Sequence, residues 1–391
     1  MAYTETTTTS WTSRLGSSFK GIVGGFVLIT LGTCLLWWNE GRTFKTAGAI
    51  GEAELVTQAV NDITKLDSSL EGKVIHAVGR AETQETLRDP IFGVEANALS
   101  IRRKVEYFQW REHSRSETRK KLGGGEETIT TYTYDTGWVP EPVNSDMFRD
   151  PDYKGRNKVL AEFKDERLWA KDITFGAYKL PDFLAHSIGG ETQLNAGRID
   201  ASSISSHINA PEGSYAGQLI NGDETTIYIG RNPGSPEVGD VRITFFQIPP
   251  AEVSIIAQVT GNTFKAFTAS NGYTFSSLEM GRVDTAEMFK DARSSNNIMA
   301  WVLRVVGIII VVWGLKTILA PLSVLADVIP ILGTIVGAGT GFVSWVLGLA
   351  WSLIVIAVAW VRFRPLIAGC LIAAAVVLML LPLFKGKKAS A

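Results

Sequence analysis

The chain lacks most residue patterns that carry catalysis or metal binding. It has only two cysteines, Cys34 and Cys370, which excludes a disulfide scaffold. None of its four histidines forms an HExxH motif or a Cys/His zinc spacing. A nucleophile elbow, a P-loop and a dinucleotide fingerprint are also absent from the sequence. The sequence therefore predicts no enzyme activity, no catalytic residue, no metal site and no cofactor.

Charge is scarce towards both ends of the chain. The mean hydropathy of +0.12 is high for 391 residues, which excludes a soluble enzyme of ordinary composition. Between Glu40 and Asn297, acidic residues outnumber basic ones by about eight, and this acidity argues against nucleic-acid binding. From Ile298 onwards there are eight charged residues: Arg304, Lys316, Asp327, Arg362, Arg364, Lys385, Lys387 and Lys388. The composition predicts a membrane protein with one large, acidic, water-soluble region.

Four apolar segments approach the roughly 20 residues that a helix needs to cross a bilayer. Unpaired backbone groups are costly in lipid, so each segment is expected to be a helix. Residues 1–20 form a polar tail before the first span, and residues 385–391 form a basic tail. The predicted segments are helix one at 21–38, helix two at 298–320, a glycine-rich segment with helix three at 327–361, and helix four at 366–384.

The ends of these segments carry further predictions. Proline cannot continue a helix without losing a backbone bond, so Pro321 is expected to end the second span. Pro330 and the glycines after it suggest a shallow or re-entrant helix before the third span proper. An uncleaved signal anchor is favoured at the N-terminus, because the small-residue site Ala47–Ala49 lies far beyond the apolar run.

Sidedness is less well determined than the number of spans. Four spans put both termini on one face of the membrane and residues 39–297 on the other. Lysine and arginine are nearly balanced between the two faces, so the positive-inside rule does not orient the chain. We expect the termini in the cytoplasm.

Charged residues gather where the spans are predicted to meet the soluble region. Tryptophans at 37, 38, 301 and 360 mark the same level, as is typical of the headgroup layer. We predict that Glu40 pairs with one or more nearby arginines and ties the first span to the other three. The alternative is that each long side chain independently extends to the interface. The predicted interfacial charge cluster comprises Glu40, Arg42, Arg304, Arg362 and Arg364.

Glycines recur at four-residue spacing in two of the apolar segments. Small residues at this spacing allow helix backbones to approach closely in lipid, either within one chain or between chains. The predicted helix-packing positions are Gly21, Gly25, Gly333, Gly337 and Gly341.

The region 39–297 shows the period-two patterns and turn signals of a β-rich α+β domain. Alternation over 99–109, β-branched residues over 128–134 and the tip Gly123–Gly125 predict a long β-hairpin. A second strand pair is predicted at 241–247 and 252–259, linked through Pro249-Pro250, with short helices at 181–188 and 285–293. One domain is expected, or two subdomains that meet around 195–211.

Several strings stand in a fixed order along the chain: Asn39–Ala47, Val105–Glu112, Thr133–Trp138, Asn232–Phe245, Leu303–Leu315 and Phe363–Gly369. Together they resemble the transmembrane protein 43 family, also called LUMA. The resemblance implies a multi-pass membrane protein with a lumenal domain, self-association, protein partners and no established catalytic residues. In eukaryotes it implies the endoplasmic reticulum or inner nuclear membrane, and in a bacterium the inner membrane with a periplasmic domain.

The leading functional prediction is a structural, membrane-organising or scaffolding protein that acts through self-association and protein partners. Its expected partners are the lipid bilayer, further copies of the chain and other membrane proteins. A channel or transporter component is the alternative, because Asp327 and the glycine-rich 333–341 segment could belong to a broken helix. An envelope-associated hydrolase is a weaker third hypothesis.

Overall fold

The computed structural model describes residues 3–196, 204, 219–222, 226–361 and 365–387. The chain divides into two compact units. The β-rich unit comprises Met1–Tyr3, Gly51–Arg115 and Thr131–Lys290. The helical unit comprises Thr4–Ile50, Ser116–Thr130 and Asp291–Ala391. The expected boundary between subdomains at 195–211 lies almost wholly outside the described residues.

Strands dominate the region between the first and second long helices, and one strand, β1, precedes the first of these helices. They are β1 (Tyr3–Thr9), β2 (Gln58–Val60), β3 (Val74–Thr83), β4 (Leu87–Arg88), β5 (Glu95–Ala96), β6 (Ser100–Lys120), β7 (Glu126–Val139), β8 (Glu166–Trp169), β9 (Ile173–Phe175), β10 (Tyr178–Lys179), β11 (Thr192–Leu194), β12 (Leu219–Gly222), β13 (Thr226–Ile229), β14 (Val241–Ile248), β15 (Ala251–Thr260), β16 (Thr263–Lys265), β17 (Phe267–Thr268), β18 (Thr274–Phe275) and β19 (Ser277–Met280). One-turn 3₁₀ helices lie at Ser68–Leu70 and Ser145–Met147.

Two larger sheets organise these strands. The first has the order β1-β7-β6-β14-β13-β12, with β8 on β6 and β11 on β14. The second has the order β10-β9-β3-β15-β16, with β19 on β15 and β2 on β3. The alternation that predicted β6 is visible in its burial, since Ile101, Val105 and Tyr107 point into the apolar core. The long hairpin of β6 and β7 follows from this period-two pattern.

The predicted pairing of β14 with β15 is wrong. β14 pairs antiparallel with β6, from Val241↔Tyr107 to Ile248↔Ser100. β15 pairs instead with β3, from Ala251↔Ala81 to Gln258↔Val74. Pro249 and Pro250 between them have no backbone N–H to give to a hairpin ladder, and the chain uses them to pass from one sheet to the other.

Four long helices account for the apolar segments. They are α1 (Trp11–Val56), α3 (Thr285–Ala326), α4 (Pro330–Trp360) and α5 (Pro365–Lys387), while α2 (Asp182–Ala185) is one short turn. Three of them are long and apolar enough to cross a bilayer, and α5 contributes an apolar stretch at Leu366–Leu378 within the described residues. The predicted fold class is confirmed: one membrane helix, a β-rich region, then three membrane helices.

Two local predictions about the spans are wrong. Pro321 lies inside α3, which continues to Ala326, because a membrane helix tolerates one missing backbone bond where its neighbours compensate. Residues 330–360 form one unbroken helix, with Pro330 at its first turn, in place of a re-entrant segment followed by a span. Proline is favoured at that position because its missing N–H would be unpaired there in any case.

Candidate functional site

Glu40 of α1 and Arg304 of α3 form a bidentate ion pair in the helical unit. The Arg304 Nε atom donates to Glu40 Oε1 at 2.6 Å and Nη2 donates to Oε2 at 2.8 Å. The residues are only 3% and 9% exposed, respectively. A buried carboxylate requires a partner of this kind, because removing an unpaired charge from water costs several kcal/mol. The planar guanidinium fork matches the carboxylate geometry.

Trp360 brings a third helix into the same contact. Its Nε1–H donates to Glu40 Oε2 at 2.5 Å. The Arg304 guanidinium carbon lies 5.4 Å from the centre of the Trp360 ring and 4.9 Å from that of Trp301. Aromatic faces attract a cation at such distances, and more strongly where water is excluded. One carboxylate thus connects α1, α3 and α4.

Buried asparagines extend this contact along α1 and α3. Asn39 donates from Nδ2 to the Ala300 carbonyl at 3.0 Å, and Asn296 donates from Nδ2 to the Thr43 carbonyl at 3.0 Å. Each bond reaches from the side chain of one helix to the backbone of the other. Polar contacts of this type contribute to association between membrane helices. The Glu40 pair is therefore one part of a longer polar seam.

The other members of the predicted cluster are placed differently. Arg42 donates to its neighbour Thr43 at 3.3 Å, and no ion pair joins it to Glu40 among the described contacts. Arg362 and Arg364 lie outside the described residues. Of the five residues proposed from the sequence, the structure brings Glu40 and Arg304 together.

Glycines set the distance between α1 and α3. A Cβ atom at Gly25 would lie 2.7 Å from the Gly314 carbonyl oxygen, and one at Gly314 would lie 2.7 Å from the Gly25 carbonyl oxygen. Gly32 faces the Gly307 carbonyl oxygen in the same manner at 3.0 Å. A Cβ at Gly21 would approach the Thr317 side chain at 3.1 Å. The backbones are therefore closer than any larger residue at 25 or 314 would allow.

The three glycines of α4 do not share one role. A Cβ at Gly333 would collide with Asp327, which belongs to the turn before the same helix. A Cβ at Gly337 would meet only the Ser323 Cβ, at 3.8 Å, and one at Gly341 would meet nothing within 4 Å. These positions do not repeat the backbone contact seen at Gly25.

A second buried charge cluster lies at the other end of α1. Asp327 is fully buried and accepts hydrogen bonds from Lys120 Nζ and Arg14 Nη2, both at 2.6 Å. Arg14 also pairs with Glu126 at 2.7 Å. Arg14 and Glu40 are 26 residues apart on one helix, or about 39 Å along its axis. The two charge clusters therefore lie at two separate levels of the helical unit.

Backbone contacts hold the hairpin tip at this second cluster. The Gly123 amide donates to the Val328 carbonyl at 3.1 Å, and Trp11 Nε1 donates to the Val324 carbonyl at 2.9 Å. From the sequence, the tip is expected in the soluble region, separate from the N-terminal tail. The structure instead brings the tip residues 116–130 against the first turns of α1. Asp327 was the sequence signal for this site, as a lone acid among apolar residues.

A titratable pair lies within the β-rich unit. The Tyr228 hydroxyl donates to Asp240 Oδ2, and the Glu237 amide donates to the same oxygen at 2.8 Å. Burial raises the pKa of Asp240 above its ordinary value, and burial also raises the pKa of Tyr228. These two donors hold the carboxylate inside a turn, and the Tyr228 hydroxyl also lies 3.1 Å from the Asn232 carbonyl oxygen. This arrangement stabilises the loop between β13 and β14.

Among the described residues, no group of three or more His, Cys, Asp or Glu side chains is placed to hold a metal ion. A cavity of about 810 Å³ in the β-rich unit has Glu141, Glu162 and Asp165 in its wall. Asp165 accepts the Val105 amide at 2.7 Å. At least one carboxylate in the cavity wall is therefore already engaged in a hydrogen bond to the backbone.

Comparison with known proteins gives the family. The family model described as Transmembrane protein 43 matches residues 107–365, about two thirds of the chain. The chain belongs to the transmembrane protein 43 family. Transmembrane protein 43 of Mus musculus is 28% identical over 371 residues, covering 92% of this chain and 89% of the mouse protein. The resemblance seen in the sequence strings is confirmed.

Other relatives of the family align over similar lengths. The Homo sapiens protein is 27% identical over 364 residues, covering 90% of this chain and 87% of its own. The Drosophila melanogaster homologue is 25% identical over 372 residues, covering 93% and 94%. No solved structure shows a significant match to this chain. The chain is an integral membrane protein of this family.

Proposed function

We propose that this chain is a membrane scaffold whose helices form a fixed platform for self-association and for protein partners. The observation that supports it is the buried Glu40–Arg304–Trp360 contact, which joins three helices through one carboxylate. In sequence, α1 precedes the β-rich region and α3 follows it. A pair between these two helices closes the large intervening segment into a loop anchored at both ends.

The polar chemistry of the helical unit is used for holding helices together. Glu40, Arg304, Asp327, Arg14 and Lys120 are all engaged with one another or with aromatic rings. Buried charges that are fully paired more often fix the register between helices than take part in catalysis. The role proposed here is therefore binding and organisation. For the compartment, we propose a bacterial inner membrane with a periplasmic domain, or the endoplasmic reticulum and inner nuclear membrane if the chain is eukaryotic.

The alternative of a channel or transporter gains no specific support from the geometry. It was based on a broken helix at 333–341 and on Asp327 as an ionisable group along a pathway. Residues 330–360 form one continuous helix, and Asp327 is paired with two cations.

Crosslinking in native membranes tests the scaffold proposal. An epitope-tagged chain at native expression is treated with a membrane-permeable crosslinker and compared with E40Q in the same membranes. Wild-type chain should give discrete homo-oligomers or one stable partner band, and E40Q should weaken those bands at equal abundance. Recovery of wild-type chain solely as a monomer would overturn the proposal.

A further inference from the structure

A cavity of about 380 Å³ lies between α3 and α4, close to the turn that joins them. The turn spans only Asp327–Ile329, so the two helices are antiparallel neighbours at this point. Its wall comprises Lys120, Lys316, Ala320, Ser323, Gly333, Thr334, Gly337 and Thr340. All of these residues belong to the helical unit.

Glycine keeps this cavity open. Gly333 and Gly337 line one wall, and a Cβ atom at Gly337 would reach only the Ser323 Cβ at 3.8 Å. Ala320 and Ser323 supply small side chains on the facing helix. Antiparallel membrane helices normally fill such a space by interdigitation. The glycine spacing in α4, interpreted from the sequence as a packing stripe, therefore leaves space beside α3 where packing was expected.

The cavity collects polar groups from segments that are otherwise apolar. Lys316 is the only charged residue between Arg304 and Asp327, and it lies in the middle of an apolar run. Within the described part of the chain, no carboxylate forms an ion pair with Lys316, whereas Lys120 is bound to Asp327. An ionisable side chain retained in an apolar membrane helix is costly, and such residues commonly mark a ligand or ion site.

The charges around the cavity favour an anion. Lys316 contributes a positive charge that no carboxylate balances in the described part of the chain, while Lys120 and Arg14 are balanced by Asp327 and Glu126. Ser323 and Thr340 bring one hydroxyl from each helix to the wall; these donate to the Ala320 and Gly337 carbonyls, and a hydroxyl can rotate to donate to an anion instead. A lysine ammonium group binds phosphate as a point charge, and nearby hydroxyls can donate hydrogen bonds to the remaining phosphate oxygens.

We propose that this cavity binds the phosphate group of an anionic ligand, with Lys316 as its principal contact. The phosphate of an anionic phospholipid headgroup and free inorganic phosphate share this chemistry. The site goes beyond the scaffold function, because it assigns a ligand to a part of the bundle that the Glu40 contact does not use.

The test uses purified full-length chain in a neutral detergent. The probes are inorganic phosphate, dihexanoyl phosphatidic acid and dihexanoyl phosphatidylcholine, each titrated by isothermal calorimetry. Two variants address the site: K316Q removes the charge, and G337L fills the cavity without touching a lysine. The matched control is G341L, the same substitution one turn further along α4, at a position that does not line the cavity. K316R retains the charge.

Phosphatidic acid should bind saturably, with affinity at least about tenfold lower in K316Q and G337L, as expected for loss of a charge-assisted contact. G341L should match wild type, and K316R should retain most of the affinity. Binding of phosphatidic acid without inorganic phosphate assigns the site to lipid headgroups, and binding of both assigns it to phosphate itself. No saturable binding, equal binding of phosphatidylcholine, or equal affinities across the variants would overturn the proposal.

If the G337L chain fails to fold, the lysine variants still test the proposal. Each variant is first compared with wild type by its thermal melt in the same detergent. K316Q changes an exposed side chain and leaves the helix contacts at Gly25 and Glu40 intact. The comparison of K316Q with K316R alone then distinguishes loss of charge from loss of fold.

Discussion

Arg304 presents two parallel N–H groups to the two carboxylate oxygens of Glu40, 264 residues earlier in the chain. Both residues are removed from water, and Trp360 supplies a further donor to the same carboxylate. The contact is therefore largely insensitive to salt screening. Its strength depends on both partners being present, which makes it suitable for a double-mutant cycle.

We expect E40A to destabilise the helical unit by about 3–5 kcal/mol, because it leaves the Arg304 charge buried and unpaired. The measurement is a detergent melt followed by tryptophan fluorescence. The matched control is the double variant E40M/R304M, which removes both charges and retains volume. It should be more stable than E40A. A double variant that is as unstable as E40A contradicts an energetic role for the ion pair.

Gly25 should not tolerate a methyl group. A Cβ there would lie 2.6 Å from the Ile318 side chain and 2.7 Å from the Gly314 carbonyl oxygen. G25A should lower stability by about 1–3 kcal/mol through overpacking. Gly24 is the matched control, since nothing lies within 4 Å of its Cβ position. Equal melting temperatures for G25A and G24A would show that α1 and α3 are not in close contact.

Asp327 should hold the hairpin tip. D327N removes the carboxylate charge that Arg14 and Lys120 share and leaves Arg14 with Glu126 alone, so the tip should open more often and trypsin should cut faster after Lys120. The exposed Lys121–Glu127 pair provides the control, because surface pairs contribute about 0–1 kcal/mol. E127Q should therefore leave the cleavage rate almost unchanged. Equal rates for D327N and wild type would count against the contact.

The same cluster predicts sidedness. Arg14 and Lys120 meet at Asp327, and the charged residues 111–121 cannot lie in hydrocarbon. Single cysteines at Leu122, which is 88% exposed, and at Thr12 should therefore react with an impermeant maleimide from the same face of sealed vesicles. Cys34 and Cys370 are first replaced by alanine. Labelling from opposite faces would show that the tip and the start of α1 are separated in the membrane.

Glu191 should make the stability of the β-rich unit depend on acid pH. Hydrogen bonds from Arg102 lower the pKa of Glu191 below its ordinary value, and Arg167 adds to this. The stabilisation is complete above the unfolded pKa and is lost as pH falls through the lowered folded pKa. Below about pH 4.5, the melting temperature of the full chain should fall less steeply with pH in E191Q than in wild type. E95Q, at a more exposed pair with Arg88, is the control.

Local patterns predicted the elements better than they predicted the contacts. The alternation in β6 and the uncharged runs in the spans are local signals, so the sequence was sufficient for both. Glu40 and Arg304 were proposed together because tryptophans mark a common depth at the membrane interface. No such marker connects Asp327 with Lys120, which are 207 residues apart, so that cluster was missed.

Proline was the least reliable signal for where helices and hairpins begin and end. Pro321 and Pro330 were expected to interrupt helices, whereas one lies within α3 and the other begins α4. Pro249 and Pro250 were expected to turn a hairpin, whereas they connect two sheets. In each case proline is compatible with several backbone conformations, and the residues packed around it in the fold determine which one is adopted.

The three-residue turn at Asp327–Ile329 has a consequence for biogenesis. It is too short for α3 and α4 to enter the bilayer independently, so the two should be integrated by the translocation machinery as one helical hairpin. With the termini in the cytoplasm, α3 returns from the opposite face, so the turn and its single charge, Asp327, stay on the cytoplasmic face and do not cross the bilayer centre. The segment that crosses next is α4, which contains no charged residue from Pro330 to Trp360, so the second half of the hairpin enters the bilayer without moving a charge into it.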